Sequence, residues 1–129
     1  MPLIRIDITE GRSDTAIKTL MDTVQDCVVE AFKVPVNDRY QIITEHKPGR
    51  IILEDTGLGF ERTDQAIVIQ VFTSPRTTVN KTKFYKLLAD NLKEQCGLNP
   101  KDLMVSVMTN TDVDWSFGFG STQYLSGEL

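Results

Sequence analysis

Shifted along itself by 64 residues without a gap, the 129-residue chain repeats its own pattern. Leu3-Ile4 falls on Ile67-Val68, Arg12 on Arg76, Ser13 on Thr77, Leu20 on Phe84, Val24 on Leu88 and Val28 on Leu92. Asp26, Glu30 and Asp38 fall on Asp90, Glu94 and Asp102. Identities are few, yet the register holds over about forty positions, so both halves must adopt the same local structure. We read an internal duplication within one domain, residues 1–129, with units at about 2–46 and 66–110 and a tail at 111–129.

Each unit reads as strand, helix, strand. Ile4, Ile6 and Ile8 alternate with Arg5, Asp7 and Thr9, which predicts a half-buried strand over 2–9. Ile17, Leu20, Val24, Val28 and Phe32 then recur at helical spacing, predicting a helix over 13–32 that must stop before Pro35. A second strand follows near Tyr40–Thr44. In the second unit Ala66–Phe72 is almost continuously apolar, which predicts an inner strand covered on both faces. A helix over 77–96 ends at Gly97, and a strand follows over Leu103–Met108.

Such units join parallel strands through a helical crossover. The expected class is therefore α/β in two layers: a four-stranded mixed sheet with both helices on one face. The opposite face would carry Ile and Val with nothing in this chain to cover it, which implies oligomerisation. Between the units, Lys47-Pro48-Gly49-Arg50 predicts a turn, Ile51–Leu53 a short strand and Glu54–Gln65 a loop. Gly57-Leu58-Gly59 reads as a turn rather than a phosphate loop, because Arg62 stands where a third glycine would be needed.

Composition excludes several classes of function. A net charge of −4 is opposite in sign to what coating nucleic acid requires. One histidine and two cysteines offer no metal-ligand spacing; Cys27 and Cys96 read as reduced core thiols and His46 as a surface residue. No apolar run of about 18 residues is long enough for a membrane span, so a cytoplasmic protein without membrane or nucleic-acid partners is expected.

Sequence signatures of hydrolase triads, Walker loops and haem sites are also absent. That leaves Pro2, some carboxylates and the arginines. If Met1 is removed, Pro2 becomes a free secondary amine at the head of a strand; its counterpart Ala66 lies inside the chain and offers none. Arg12 and Arg76 each follow a first strand and precede a helix, where backbone N–H groups also favour an anion. A guanidinium matches a carboxylate in bidentate fashion, although either arginine alone is compatible with a solvated surface role. The tail gathers Trp115, Phe117, Phe119 and Tyr124 among glycines, suited to covering a sheet edge or a neighbouring subunit, or to walling a pocket.

The first strand with Glu10-Gly11-Arg12-Ser13-Asp14 resembles the start of the 4-oxalocrotonate tautomerase group. The likeness extends through Asp38-Arg39-Tyr40-Gln41, Glu54-Asp55-Thr56-Gly57-Leu58-Gly59, Pro75-Arg76, Phe84-Tyr85-Lys86-Leu87-Leu88, Cys96-Gly97, Asp114-Trp115-Ser116-Phe117-Gly118 and Gly127-Glu128-Leu129. Across essentially the whole chain it resembles the malonate semialdehyde decarboxylase group of the tautomerase superfamily. That resemblance implies a tautomerase-fold homotrimer acting on a small carboxylate without cofactor or metal. It implies Pro2 as catalytic amine, Asp38 as its acidic partner, Arg76 on the substrate carboxylate, and Trp115, Phe117, Tyr124 and Leu129 on an apolar wall.

Two positions depart from the decarboxylase pattern. Ser74 stands where the first of two arginines flanks the central proline, and Tyr124 replaces a phenylalanine. Relative to the smaller tautomerases, Arg12 matches a catalytic arginine, whereas Tyr40 replaces another; both are possible site residues. The expected reaction is decarboxylation of a 3-oxo acid such as malonate semialdehyde, with tautomerase or hydratase side activity. Keto–enol tautomerisation of a 2-oxo acid such as phenylenolpyruvate is the alternative reaction, and a non-catalytic trimeric binding protein is the alternative if Met1 is retained.

Overall fold

The computed structural model describes all residues, 1–129. Strand β1 (Leu3–Thr9), helix α1 (Asp14–Phe32) and strand β2 (Tyr40–His46) form the first unit. Strand β3 (Ile67–Thr73), helix α2 (Thr78–Cys96) and strand β4 (Leu103–Thr109) form the second, and a one-turn helix α3 (Gln123–Ser126) lies in the tail. The 64-residue shift carries β1 onto β3 and α1 onto α2 residue for residue, while β4 starts one position ahead of the counterpart of β2.

The strands lie in the order β2-β1-β3-β4, with β1/β2 and β3/β4 parallel and the central β1/β3 pair antiparallel. Ile4, Ile6 and Ile8 of β1 and Ile67, Ile69 and Val71 of β3 point toward the helices and are essentially inaccessible. They meet Leu20, Val24 and Val28 of α1 and Phe84, Leu88 and Leu92 of α2 in one core. Phe32 and Phe84 pack against each other across the two helices, their rings tilted by 36° with centroids 4.8 Å apart. Burial of this apolar set is the main term holding the two layers together.

The same local devices bound both helices. Ser13 Oγ accepts from Ala16 N at 3.1 Å and Thr77 Oγ1 from Asn80 N at 3.1 Å, each satisfying an N-terminal amide. Both helices close with a left-handed residue, Lys33 (φ 56) and Gly97 (φ 67). Only the second position has the residue for which that conformation is free of Cβ strain.

Several expectations need correction. β3 is covered on one face only: its residues alternate between buried and half-buried, because the single chain has no second layer beyond the sheet. The open face is mixed rather than Ile/Val-rich. Tyr40, Leu3, Phe72 and Met108 form one row across it, and Ile42, Arg5, Gln70 and Ser106 the next. Ile51–Leu53 pairs with no strand. His46 is partly exposed at the end of β2, in keeping with a surface role, and pairs with Asp7 at 2.6 Å on the open face. Cys27 is buried as expected, but Cys96 is exposed. Gly57-Leu58-Gly59 is a turn, with the Asp55 carboxylate accepting from Gly57 N and Gly59 N. No helix is long and apolar enough to cross a membrane.

The helix ends yield a direct test. Lys33→Gly relieves the left-handed Cβ contact and raises stability by about 1 kcal/mol, whereas Gly97→Lys lowers it by about as much. Urea unfolding of the two variants against the parent chain checks both signs.

Candidate active site

Antiparallel pairing of β1 with β3 sets Leu3 opposite Phe72, so the head of β1 meets the tail of β3. Parallel pairing with β2 sets Leu3 beside Tyr40. Pro2, immediately before β1, is buried there. Asp38 lies two residues before Tyr40, and Arg76 three residues after Thr73, the last residue of β3. Three stretches far apart in sequence therefore converge on the amino-terminal end of β1.

Arg76 is held by its surroundings but not neutralised. Its Nε donates to Thr73 Oγ1 at 3.2 Å and its Nη1 to the Phe32 carbonyl at 3.2 Å. The guanidinium carbon stands 5.1 Å from the Phe32 ring centroid, a cation–π arrangement. No carboxylate makes an ion pair with it. Burial draws its pKa below the ordinary arginine value, opposed by Tyr124 and Asp38. A fixed guanidinium with no ion-pair partner suits an incoming carboxylate.

Asp38 is 8% exposed, and its buried Oδ1 has no hydrogen-bond partner. The loop that presents it is pinned from behind: Gln25, itself 4% exposed, donates through Nε2 to the Val36 carbonyl at 3.2 Å and reaches the Asp38 carbonyl at 3.5 Å. Burial raises the Asp38 pKa, partly offset by the amino terminus and Arg76. At the amino terminus, where Met1 precedes Pro2, burial and then Arg76 lower the ammonium pKa, while Asp38 and Asp112 raise it. Asp38 thus favours a cationic amine at this end of β1, but burial is the larger influence and favours a neutral one.

The tail supplies the wall. Trp115 stacks on Phe117 at 5.4 Å, Tyr124 meets Phe117 edge-on at 5.4 Å, and Tyr40 approaches Phe117 at 5.7 Å. Gln123 fixes the tail by accepting from Phe117 N at 3.0 Å and donating to the Gly118 carbonyl at 3.0 Å. Trp115 Nε1 donates to Asn110 Oδ1 at 2.9 Å. The Tyr124 hydroxyl pKa is raised by burial and by Asp38 and Asp112, with Arg76 opposing, which ties the wall electrostatically to the charged groups.

Other sequence-predicted residues are placed less centrally. Ser74 is half-buried directly after β3, and Leu129 is 63% exposed at the end of the chain. Arg12 follows the far end of β1. At ~3.3 Å of rise per residue, the seven-residue strand separates it from Pro2 by about 20 Å, so it does not join this group. Gln25, Thr73 and Asp112 escaped the sequence reading; Gln25 and Thr73 act through backbone and guanidinium contacts that leave no motif.

The equivalent corner of the second unit is built differently. Asp102, the counterpart of Asp38, is 2% exposed but accepts from both Thr63 N (2.7 Å) and Thr63 Oγ1 (2.6 Å). Only the first unit holds a buried carboxylate oxygen without a partner.

Two family models, each described as tautomerase enzyme, match residues 2–61 and 38–118. The probable tautomerase YrdN of Bacillus subtilis (strain 168) is 49% identical over all 129 residues, covering 100% of both chains. The chain belongs to the tautomerase superfamily. Probable tautomerase YusQ of the same organism is 30% identical over 97% of this chain and 99% of its own. Among solved structures, malonate semialdehyde decarboxylase superposes with TM-score 0.95 at 44% identity, covering 98% of each chain. A fused 4-OT, described as a symmetric trimer, shares the fold at TM-score 0.79 and 20% identity over 97% of this chain and 98% of its own. The protein is therefore a tautomerase-superfamily enzyme with the tautomerase fold.

The unpartnered carboxylate has a thermodynamic signature. Because the folded chain holds the Asp38 proton more tightly than the unfolded chain, stability falls as pH rises from the ordinary carboxylate range through the raised pKa. Asp38→Asn removes that loss. It should stabilise the protein by about 1 kcal/mol at pH 7, and the advantage should vanish once both pKa values lie above the working pH. Thermal unfolding of the two proteins across pH checks the sign.

Proposed function

We propose that this enzyme decarboxylates a small 3-oxo acid such as malonate semialdehyde, using the secondary amine of Pro2 after Met1 is removed. The observation that carries the reading is the pairing of a buried carboxylate having an unpartnered oxygen, Asp38, with an ion-pair-free arginine, Arg76, at the head of β1. The 44% identity to malonate semialdehyde decarboxylase, studied structurally for its decarboxylase and hydratase activities, supports the same chemistry. A second such decarboxylase, solved with the three-carbon acid 3-bromopropiolate as inhibitor, is 42% identical and supports a small acid as substrate.

In this mechanism the substrate carboxylate lies on Arg76 and its aldehyde oxygen near the Pro2 nitrogen. The bond between the carboxylate carbon and the methylene breaks, and its electron pair enters the carbonyl system as an enolate. In the protonated form that Asp38 favours, Pro2 stabilises the developing oxyanion and then gives its proton to carbon; carbon dioxide and acetaldehyde leave, and Pro2 regains a proton from water. Trp115, Phe117 and Tyr124 exclude water from the reacting atoms. Tyr40 and Ser74 border the site, and Leu129 joins the wall only if assembly or closure carries it there.

The uncovered sheet face supports a homotrimer, and the fused 4-OT described as a symmetric trimer shares the fold. Two free thiols agree with a cytoplasmic setting. If Met1 is retained, the Pro2 nitrogen is an amide without basicity, and a non-catalytic trimeric binding protein becomes the reading. Intact mass separates these cases.

Keto–enol tautomerisation of a 2-oxo acid such as phenylenolpyruvate is the second reading. It is favoured by the burial of this end of β1, which lowers the pKa of the Met1 amino terminus and opposes charge on any amine placed there, since that reaction needs a neutral base, and by Ser74 in place of an arginine. The pH limbs run in opposite directions: decarboxylation through protonated Pro2 is lost as pH rises through the amine pKa, whereas tautomerisation is lost as pH falls through it.

Proton NMR of product formation from malonate semialdehyde and from phenylenolpyruvate tests both. Pro2→Ala should lower kcat/KM for the true substrate by about 100-fold or more, and equal rates in the two proteins would reject Pro2 catalysis. Arg76→Gln should raise KM and lower kcat. A gain by Ser74→Arg confined to malonate semialdehyde would show that the absent arginine limits decarboxylation.

A further inference from the structure

The pseudo-symmetric counterpart of the Pro2 corner lies at the opposite end of the β1/β3 pair. There Arg12 answers to Arg76, Ala66 to Pro2, Asp102 to Asp38 and Cys96 to Phe32. Arg12 Nη2 donates to the Gln65 carbonyl at 2.8 Å, much as Arg76 donates to the Phe32 carbonyl, and Arg12 likewise makes no ion pair. The change that matters is under the guanidinium. Arg76 rests on the Phe32 ring, whereas the small side chain of Cys96 leaves space, and a cleft of about 200 Å³ opens beside Arg12.

The floor of this cleft is apolar and well packed: Leu20 is 3% exposed, Ile67 0% and Leu98 6%, with Ala16 on the rim. An apolar floor below one fixed, ion-pair-free guanidinium matches a short acid, its carboxylate on the remaining Arg12 N–H groups and its alkyl part on Leu20, Ile67 and Leu98. The surrounding charge narrows the class. Asp64 and Asp102 are the carboxylates that act on Arg12, neither within ion-pair distance, so one negative charge is accommodated while a dianion meets repulsion. The Cys96 thiol adds no charge: although the residue is exposed, partial desolvation where it lines the cleft raises its pKa above the ordinary value.

We propose that the cleft at Arg12 is a second, non-catalytic binding site for a small aliphatic monocarboxylate. Chemistry is excluded there by the covalent structure, since Ala66 is an internal residue with no free amine, and the partner carboxylate, Asp102, is already taken by Thr63. The inference does not depend on the reaction at Pro2. One half of the chain keeps the amine and a filled space below its arginine; the other keeps an arginine with room beneath it.

Titration of the full-length protein with sodium butyrate, followed by amide nitrogen–proton NMR, tests this. Saturable shifts of the Gly97 and Leu98 amides are expected, with inorganic phosphate giving none at the same concentrations. Arg12→Gln should raise the butyrate midpoint at these amides about tenfold or more, as loss of a charge-assisted contact requires. Cys96→Phe should abolish the shifts by filling the cleft, and Arg76→Gln should leave the midpoint unchanged, which separates this site from the Pro2 corner. Non-saturating shifts, equal response to phosphate, or an unaltered midpoint in Arg12→Gln would overturn the proposal, and Arg12→Gln alone suffices if Cys96→Phe does not fold.

Discussion

The antiparallel pairing of β1 with β3 is the constraint on which the rest of the molecule depends. Each unit could bury one helix against its own parallel strands, but a two-stranded sheet with one helix leaves too little core for independent stability. Joining the units through Leu3↔Phe72 to Asp7↔Val68 makes one sheet and one core, with Ile6 and Ile69 directly opposed at its centre. The pairing also brings the end of β3 against the start of β1, so that the residue following one strand can act on the residue preceding the other. A slip of one position would turn every buried isoleucine to the open face and would also move Arg76 away from Pro2.

The two halves share a backbone plan and differ in what they leave unsatisfied. In the second, Thr63 donates twice to Asp102, and a buried carboxylate so bonded is a stabilising structural element. In the first, Asp38 is buried with one oxygen bare, facing Arg76 and the amino terminus. A stable fold has no use for that arrangement, whereas a site that must recognise or hold charge does. Phe32 and Cys96 divide the roles in the same way: one fills the space below an arginine, the other leaves it open.

The open sheet face imposes a further constraint. Leu3, Phe72, Met108 and Ile42 share it with Arg5, Gln70, Asp7 and His46, the last two paired at 2.6 Å. A face of this composition is too apolar to be an ordinary solvated surface and too polar to be a second core. It fits a contact between subunits, where apolar rows are buried and the polar groups find partners.

Much of this was legible before any coordinates. Alternation at Ile4, Ile6 and Ile8, helical spacing from Ile17 to Phe32, and the 64-residue register determined the elements, their bounds within a residue or two and the two-layer class, because these are local periodicities that only one arrangement satisfies. The chain also restricted a terminal amine to the first unit, since Ala66 cannot supply one. Tertiary structure decided what local pattern cannot express. It separated two arginines that look equivalent in sequence, placing Arg76 beside Pro2 and Arg12 about one strand length, ~20 Å, away. It left Asp38 without a partner while pairing Asp102, and it exposed Cys96 from what reads as a core position. Each outcome depends on which segments distant in sequence the antiparallel pairing brings together, and a single pattern read along the chain carries no record of that contact.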